Sequence, residues 1–223
     1  MSATTSTVPA AINIFVDKDG RNVFVVKVDR NLIVKHSNTV KGLLESDPTR
    51  TDIVIKAAAK GPVEHVIHMM QKGKQPLRIG VGHEPFAKTI AILQAINALD
   101  VQPAQPQVES HVIYMITQFK VTAEQVSIIQ LASDRLGKDS RIYKAMVQAV
   151  AWNVLHGGFT VSAKAAIKAV AVKHPQLDEV IREKIGDLKR RGEEHEKMLE
   201  EKQARREKRE KKQAERSDGE GFY

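Results

Sequence analysis

The sequence contains no cysteine. That absence excludes disulfide staples, thiolate metal sites and cysteine nucleophiles, and it points to a reducing intracellular compartment, cytoplasmic and/or nuclear. Long apolar runs are missing as well. The longest uncharged run, Ala145 to Ala163, holds Gln148, Asn153, His156 and Gly157-Gly158. It reads as a buried helix that stops, not as a membrane span, so no membrane partner is expected. The N-terminal MSATTSTVPAA has neither a basic n-region nor an apolar h-region, and no signal peptide is expected. Nor is there a P-loop, a G-x-S-x-G turn or a pair of carboxylates in a catalytic setting. The expectation is a protein without enzymatic activity and without a cofactor.

What is present indicates a folded body. An apolar fraction of 42% is globular rather than disordered. A chain of 223 residues can build one good core, or two small ones packed together. The formal net charge of +8 permits weak attraction to nucleic acid or other polyanions without requiring it. Residues 189–216 carry 12 basic and 8 acidic side chains, and the interspersed glutamates weaken the case for that segment.

Period-two alternation at Ile12, Ile14 and Val16, then Asp17-Lys18-Asp19-Gly20, then a second alternating run to Val28 predicts an N-terminal hairpin. In the second strand the spacing places Phe24, Val26 and Val28 on the buried side. Helical spacing follows, with Ser37 as an N-cap and Val40, Leu43 and Leu44 on one face. Asp47-Pro48 breaks the chain, and residues 52–56 form a third strand. Pro62 suits a first helical position ahead of Val63, Val66, Ile67 and Met70, and Gly73 ends that helix. Leu77 to Ile79 reads as a further short strand. Glu84-Pro85 opens a long apolar helix to Leu99.

Beyond it the pattern is helical throughout. Pro103 and Pro106 bracket a turn before Val108, Val112, Met115 and Ile116, and Thr122 with Gln125 forms a capping box. Ser140 caps a helix through Val154 that ends at Gly157-Gly158, and a short Ala-rich helix stops at Pro175. After Ile185 and Leu188 the only sizeable hydrophobes before Phe222 are Met198 and Leu199. Pairs such as Glu193–Lys197, Glu201–Arg205 and Glu207–Lys211 favour a solvated helix, without the a/d hydrophobes of a coiled coil. Few strands followed by many helices give an α+β fold with a helical C-terminal half.

The strand FVVKV leading into DRNLIVKHSNTVKGLL, with Leu32, Ser37 and a hydrophobe at 40, resembles the start of a BTB/POZ domain. Asp29 stands where that family usually has histidine, and Val40 where it usually has phenylalanine. The helix GPVEHVIHMMQKG looks like the middle of the family fold, and LQAINALDV like a later family helix. The stretch from Val121 to Gly158 is similar to helical extensions of degenerate fungal BTB-like domains, most diagnostically at Asp139-Ser140, Ile142, Val147 and Ala151-Trp152. The resemblance covers roughly residues 12 to 158, and with the composition change after Leu177 it gives the expected organisation: a flexible N-terminus (1–11), a BTB/POZ-like domain (12–117), a helical extension (118–175) and a charged helical tail, partly disordered (176–223). It also implies a non-enzymatic protein–protein interaction module, an adaptor or scaffold that docks partner proteins or forms a homodimer; some family members serve cullin-type ubiquitin ligases. The candidate protein interface is Leu32, Ile33, Val40, Leu43 and Leu44.

A second resemblance leads to a different class. VFVVKV, a helix, then TDIVIKAAAKGPVEHVI is similar to the first half of Alba-type nucleic-acid-binding proteins. There Lys56 and Lys60 would be the basic loop residues that meet phosphate. That family ends in a long β-hairpin, whereas the residues after Gly82 look helical here.

Three smaller patterns remain. Glu64-His65 and His68 lie one turn apart, a metal-binding spacing, but the order is E-H-x-x-H without a second ligand pair, so a solvated or satisfied pair is expected. Ile79-Gly80-Val81-Gly82 lacks the third glycine of a dinucleotide turn. Lys208-Arg209-Glu210-Lys211 fits a minimal nuclear-localisation pattern, and Arg205, Arg206, Lys208, Arg209, Lys211 and Lys212 form a candidate polyanion or nuclear-import contact; an ordinary charged helix is the favoured reading of them.

Overall fold

The computed structural model describes residues 9–73, 76–82, 84–118, 120–137 and 139–219, and side chains for all of these except 134–135 and 211–219. The expected flexible N-terminus, apart from its last residues, lies outside the described residues. The first two strands, β1 (Ala11–Lys18) and β2 (Arg21–Asp29), pair antiparallel around Asp19-Gly20. Both turn residues have positive φ, 55° and 78°, and the Asp17 carboxylate accepts from Gly20 N at 3.0 Å. Left-handed φ at both centres is what a two-residue hairpin of this twist requires, and Asp-Gly supplies it at low cost.

The face of β2 departs from simple alternation. Ile14 pairs with Val26 but Phe15 pairs with Phe24, so Val25 is an extra residue, a β-bulge. The bulge turns Val25 inward beside Val28 and leaves Phe24 47% exposed. The expected inward set Phe24, Val26, Val28 is therefore corrected to Val25 and Val28, with Val26 half-buried.

Two short helices, α1 (Arg30–His36) and α2 (Asn38–Ser46), lead to β3 (Asp52–Ile55), which pairs parallel with β1 from Asn13–Asp52 to Val16–Ile55. The sheet order is β2-β1-β3. Helix α3 (Lys60–Gln71) buries Val63, Val66, Ile67 and Met70, the four positions its spacing marks. Its N-cap is Ala59, so Pro62 is the third helical residue, not the first. Residues Leu77 to Ile79 form no strand. Leu77 and Ile79 are buried and Arg78 is exposed, and the segment is held by the Gln105 side chain, which accepts from Ile79 N at 3.0 Å and donates to Leu77 O at 3.1 Å.

Helix α4 (Phe86–Leu99) is apolar on most of its circumference. Ile92, Ala95 and Leu99 are fully buried, and α2, α3, α5 (Pro106–Gln118) and α6 (Ala123–Leu136) all pack on it. A helix without a polar face belongs at the centre. Burying its six large side chains (Phe86, Ile90, Ile92, Leu93, Ile96, Leu99) contributes roughly 10–15 kcal/mol of gross hydrophobic stabilisation. Its neighbours make α4 the link between the helices α2 and α3 and the helical half that begins with α5 and α6. Helices α7 (Arg141–Leu155), α8 (Val161–Lys173) and α9 (Pro175–Gly219) complete the chain. The capping box at Thr122/Gln125 and the Ser140 cap form as the sequence predicts.

One continuous core runs from Ile12 to Ile181. Leu177 and Ile181, on the tail side of the boundary expected at 175, are buried, and Ile185 packs half-buried beside them. The start of α9 docks on α7 and α8. The fold is α+β, mostly helical, with one small mixed sheet.

Candidate functional site

The helix pair α1–α2 is placed by its caps. Asp29, the residue standing where the BTB resemblance has histidine, accepts from Leu32 N at 2.9 Å and starts α1. Ser37 accepts from Val40 N at 3.1 Å and starts α2. The turn between them is sewn to the C-terminal end of α4. Ser37 Oγ donates to Leu99 O at 2.6 Å, Asn38 N to Asp100 O at 3.1 Å, and Asn38 Nδ2 to the Asp100 carboxylate at 3.0 Å. His36 Nδ1 lies 3.0 Å from Gln102 O, while Gln102 N donates to His36 O at 2.9 Å. The last carbonyl of α4, Leu99 O, which has no partner within the helix, and that of the capping Asp100 are thus met from about sixty residues away, while Ile96 O and Asn97 O are met locally by Val101 N and Asp100 N.

This packing sorts the five candidate interface residues. Ile33, Val40 and Leu44 are core, at 0%, 0% and 4% exposure. Leu32 and Leu43 are half-buried and lean on the core, so they alone reach the surface. A second apolar surface lies on the sheet face turned away from the core. There Phe24, Phe15 and Val54 sit in one row across β2, β1 and β3, with the two rings in edge contact at 5.6 Å. The neighbouring row is polar: Asn13 Nδ2 donates to Asp52 Oδ1 at 2.8 Å, with Lys27 opposite. Sequence reading misses this face because the bulge swaps Phe24 and Val25. Its one sequence signal is Phe15, out of phase with Ile14 and Val16.

At the hairpin end an open groove of about 640 Å³ is lined by Asp17, Lys18, Asp19, Lys60 and the backbone of 57–59. Two carboxylates offset the two ammonium groups, so the groove carries no net attraction for anions. Lys56 lines another groove, beside Gln94, Asn97 and Leu136. Lys56 and Lys60, which the Alba resemblance would use together, thus line different grooves, separated by the left-handed turn at Ala57.

His65 is half-buried and His68 exposed, in a shallow groove with Val26, Pro62 and Lys88. Among the described residues no three His, Asp or Glu side chains gather closely enough to hold a metal ion. Gly80 directly follows the segment that Gln105 anchors, and Gly82 lies in the turn where Glu84 N donates to Val81 O at 3.1 Å. His83 lies outside the described residues. Between α7 and α9, burial raises the Tyr143 phenol above its ordinary value.

In the distal part of α9, Arg205, Arg206, Lys208 and Arg209 are all exposed, and Arg205 approaches Glu201 at 4.0 Å. The side chains of Lys211 and Lys212 lie outside the described residues. After Gly82 the described residues hold only helices and their connections, so the closing hairpin of an Alba-type chain has no counterpart among them. Among the described residues, no helix is long and apolar enough to cross a membrane.

No protein-family model matches the chain, and neither a curated protein nor a solved structure matches it. The fold is that of a mixed α+β protein with an aliphatic core.

Proposed function

We propose that the chain is a non-enzymatic protein-interaction module, a BTB-like adaptor or scaffold that docks a partner protein or a second copy of itself. The order of elements carries the reading. A hairpin, a pair of capped helices, a third strand, then α3 and α4 follow one another as the resemblance implies. Two apolar surfaces suit such docking, the Leu32–Leu43 edge of α1–α2 and the Phe15–Phe24–Val54 row. Interfaces of this kind draw on buried area and tolerate salt, with about 1,600 Å² as the usual size.

Light scattering of the full chain, and of a chain ended after residue 192, tests the proposal. The expected result is a complex whose mass is unchanged from about 50 to about 500 mM salt, because apolar burial is not screened. Leu43→Asp and Phe24→Asp identify which surface is used, since only the variant on the contact face dissociates. A shortened chain that binds DNA or RNA, and releases it when Lys56 and Lys60 are replaced, would overturn the reading.

A further inference from the structure

Beyond Leu188 helix α9 leaves the core, and every described side chain from Lys189 to Glu210 is exposed. Its charges are sorted by face. Arg191, Met198, Lys202, Arg205, Arg209, Lys212 and Arg216 recur at seven, then alternating four- and three-residue steps, which is one stripe of an α-helix. Glu193, Glu196, Glu200, Glu207 and Glu210 follow the same kind of stepping along the opposite side. Glu194 and Glu201 flank the near end of the basic stripe, so its uninterrupted part runs from Lys202 to Arg216. By backbone register that part holds five cations over about 21 Å at 1.5 Å per residue.

We propose that this stripe is a binding face for the phosphate backbone of a nucleic-acid duplex, with the acidic stripe turned to solvent. Three partners compete for such a surface, and the energetics separate them. A membrane-surface helix needs a broad apolar face, and here only Met198 and Leu199 are sizeable hydrophobes. A protein partner or a second copy of α9 would gain only exposed ion pairs, which contribute little when nothing apolar is buried with them. A polyanion is different: fully solvated Lys and Arg bind it by releasing its condensed counterions, without apolar contact. A straight stripe also suits a straight partner, since duplex DNA presents a negative charge every 1.7 Å or so along its axis. The proposal is independent of the protein-interaction reading, which concerns residues 11–99.

Fluorescence anisotropy with a labelled 20-base-pair DNA duplex and the matching RNA duplex, using the full chain, provides the test. Five phosphate contacts give a log–log salt slope of about −4.5, so affinity falls roughly 500-fold between about 50 and 200 mM salt. Replacing Lys202, Arg205 and Arg209 by Gln leaves two contacts and a slope of about −1.8, or roughly a 12-fold fall. Replacing Lys189, Lys197 and Lys211 by Gln removes the same net charge from the acidic side and leaves the slope near −4.5. Circular dichroism on both variants verifies that α9 stays helical. Preference for DNA over RNA, or the reverse, identifies the duplex form within the proposal. Equal loss in the two variants would refute the stripe, as would no duplex binding at about 50 mM salt or tighter binding to phosphatidylserine vesicles than to either duplex.

Discussion

Ser37→Ala removes two hydrogen bonds at the centre of the seam between α1–α2 and α4. Ser37 is 1% exposed, so neither partner can turn to water instead. Loss of the N-cap to Val40 N costs about 1 kcal/mol. The Leu99 carbonyl, bonded at 2.6 Å by the hydroxyl, is stranded in the interior, at about 1–3 kcal/mol. The sum, about 2–4 kcal/mol, is a large share of the roughly 5–15 kcal/mol that holds a typical domain folded. Urea unfolding followed by circular dichroism reads it as a midpoint lowered by about 1 M, for a slope of roughly 2–3 kcal/mol/M. Ser46→Ala is the control. Its hydroxyl also bonds a carbonyl, Leu43 O at 2.8 Å, but at an exposed site, and about 0.5 kcal/mol or less is expected. Ser37→Asp keeps an acceptor for Val40 N yet has no proton for Leu99 O, and it should be at least as destabilising as alanine. A Ser37→Ala cost below about 1 kcal/mol, or one equal to that of Ser46→Ala, would refute the argument from buried pairing.

Gln105→Ala leaves Ile79 N and Leu77 O without their partners, at about 2–4 kcal/mol in total, and hydrogen exchange at the Ile79 amide should lose its protection first. Retained protection there would show that the segment does not depend on Gln105. Leu177→Ala should cost about 2–4 kcal/mol by thermal melting, as a fully buried leucine does elsewhere in a core. Limited trypsin digestion should remove the residues beyond about Leu188 and leave Leu177 to Ile185 attached, because only the exposed part of α9 opens freely. Cleavage after Arg182 as fast as after Arg190 would contradict the docking of α9.

Local signals made most helices legible in the sequence. Ser37, Thr122 and Ser140 each cap a helix through a backbone N–H within three residues, so their capping is a local matter, although Ser37 also reaches Leu99 O. The misread segments all depend on remote partners. The Val25 bulge is set by how β2 meets Ile14 and Phe15 of β1. The run at 77–79 alternates like a strand, but its partner is a glutamine side chain from a loop twenty-six residues on. Leu177, Ile181 and Ile185 form a helical stripe, yet the charge excess after them hides it in any composition count. The candidate interface met a different limit. An amphipathic face at Ile33, Val40 and Leu44 looks the same whether it covers its own core or awaits another chain, and here α3 and β2 pack on α1 and α4 on α2. The charge stripe of α9 is visible only when residues are counted by angle instead of summed.

The bulge at Val25 has a bearing on solubility. A three-stranded sheet in the order β2-β1-β3 presents two margins on which a stray strand could extend it, the first step of fibril growth. On the β2 margin the doubled residue throws the donors and acceptors out of even spacing, and Arg21 and Lys27 add charge along the same strand. On the β3 margin the strand is only four residues long and lies between Asp52 and Lys56. Each margin is thus a poor template by a different device, which works against strand addition beside the segment VFVVKV.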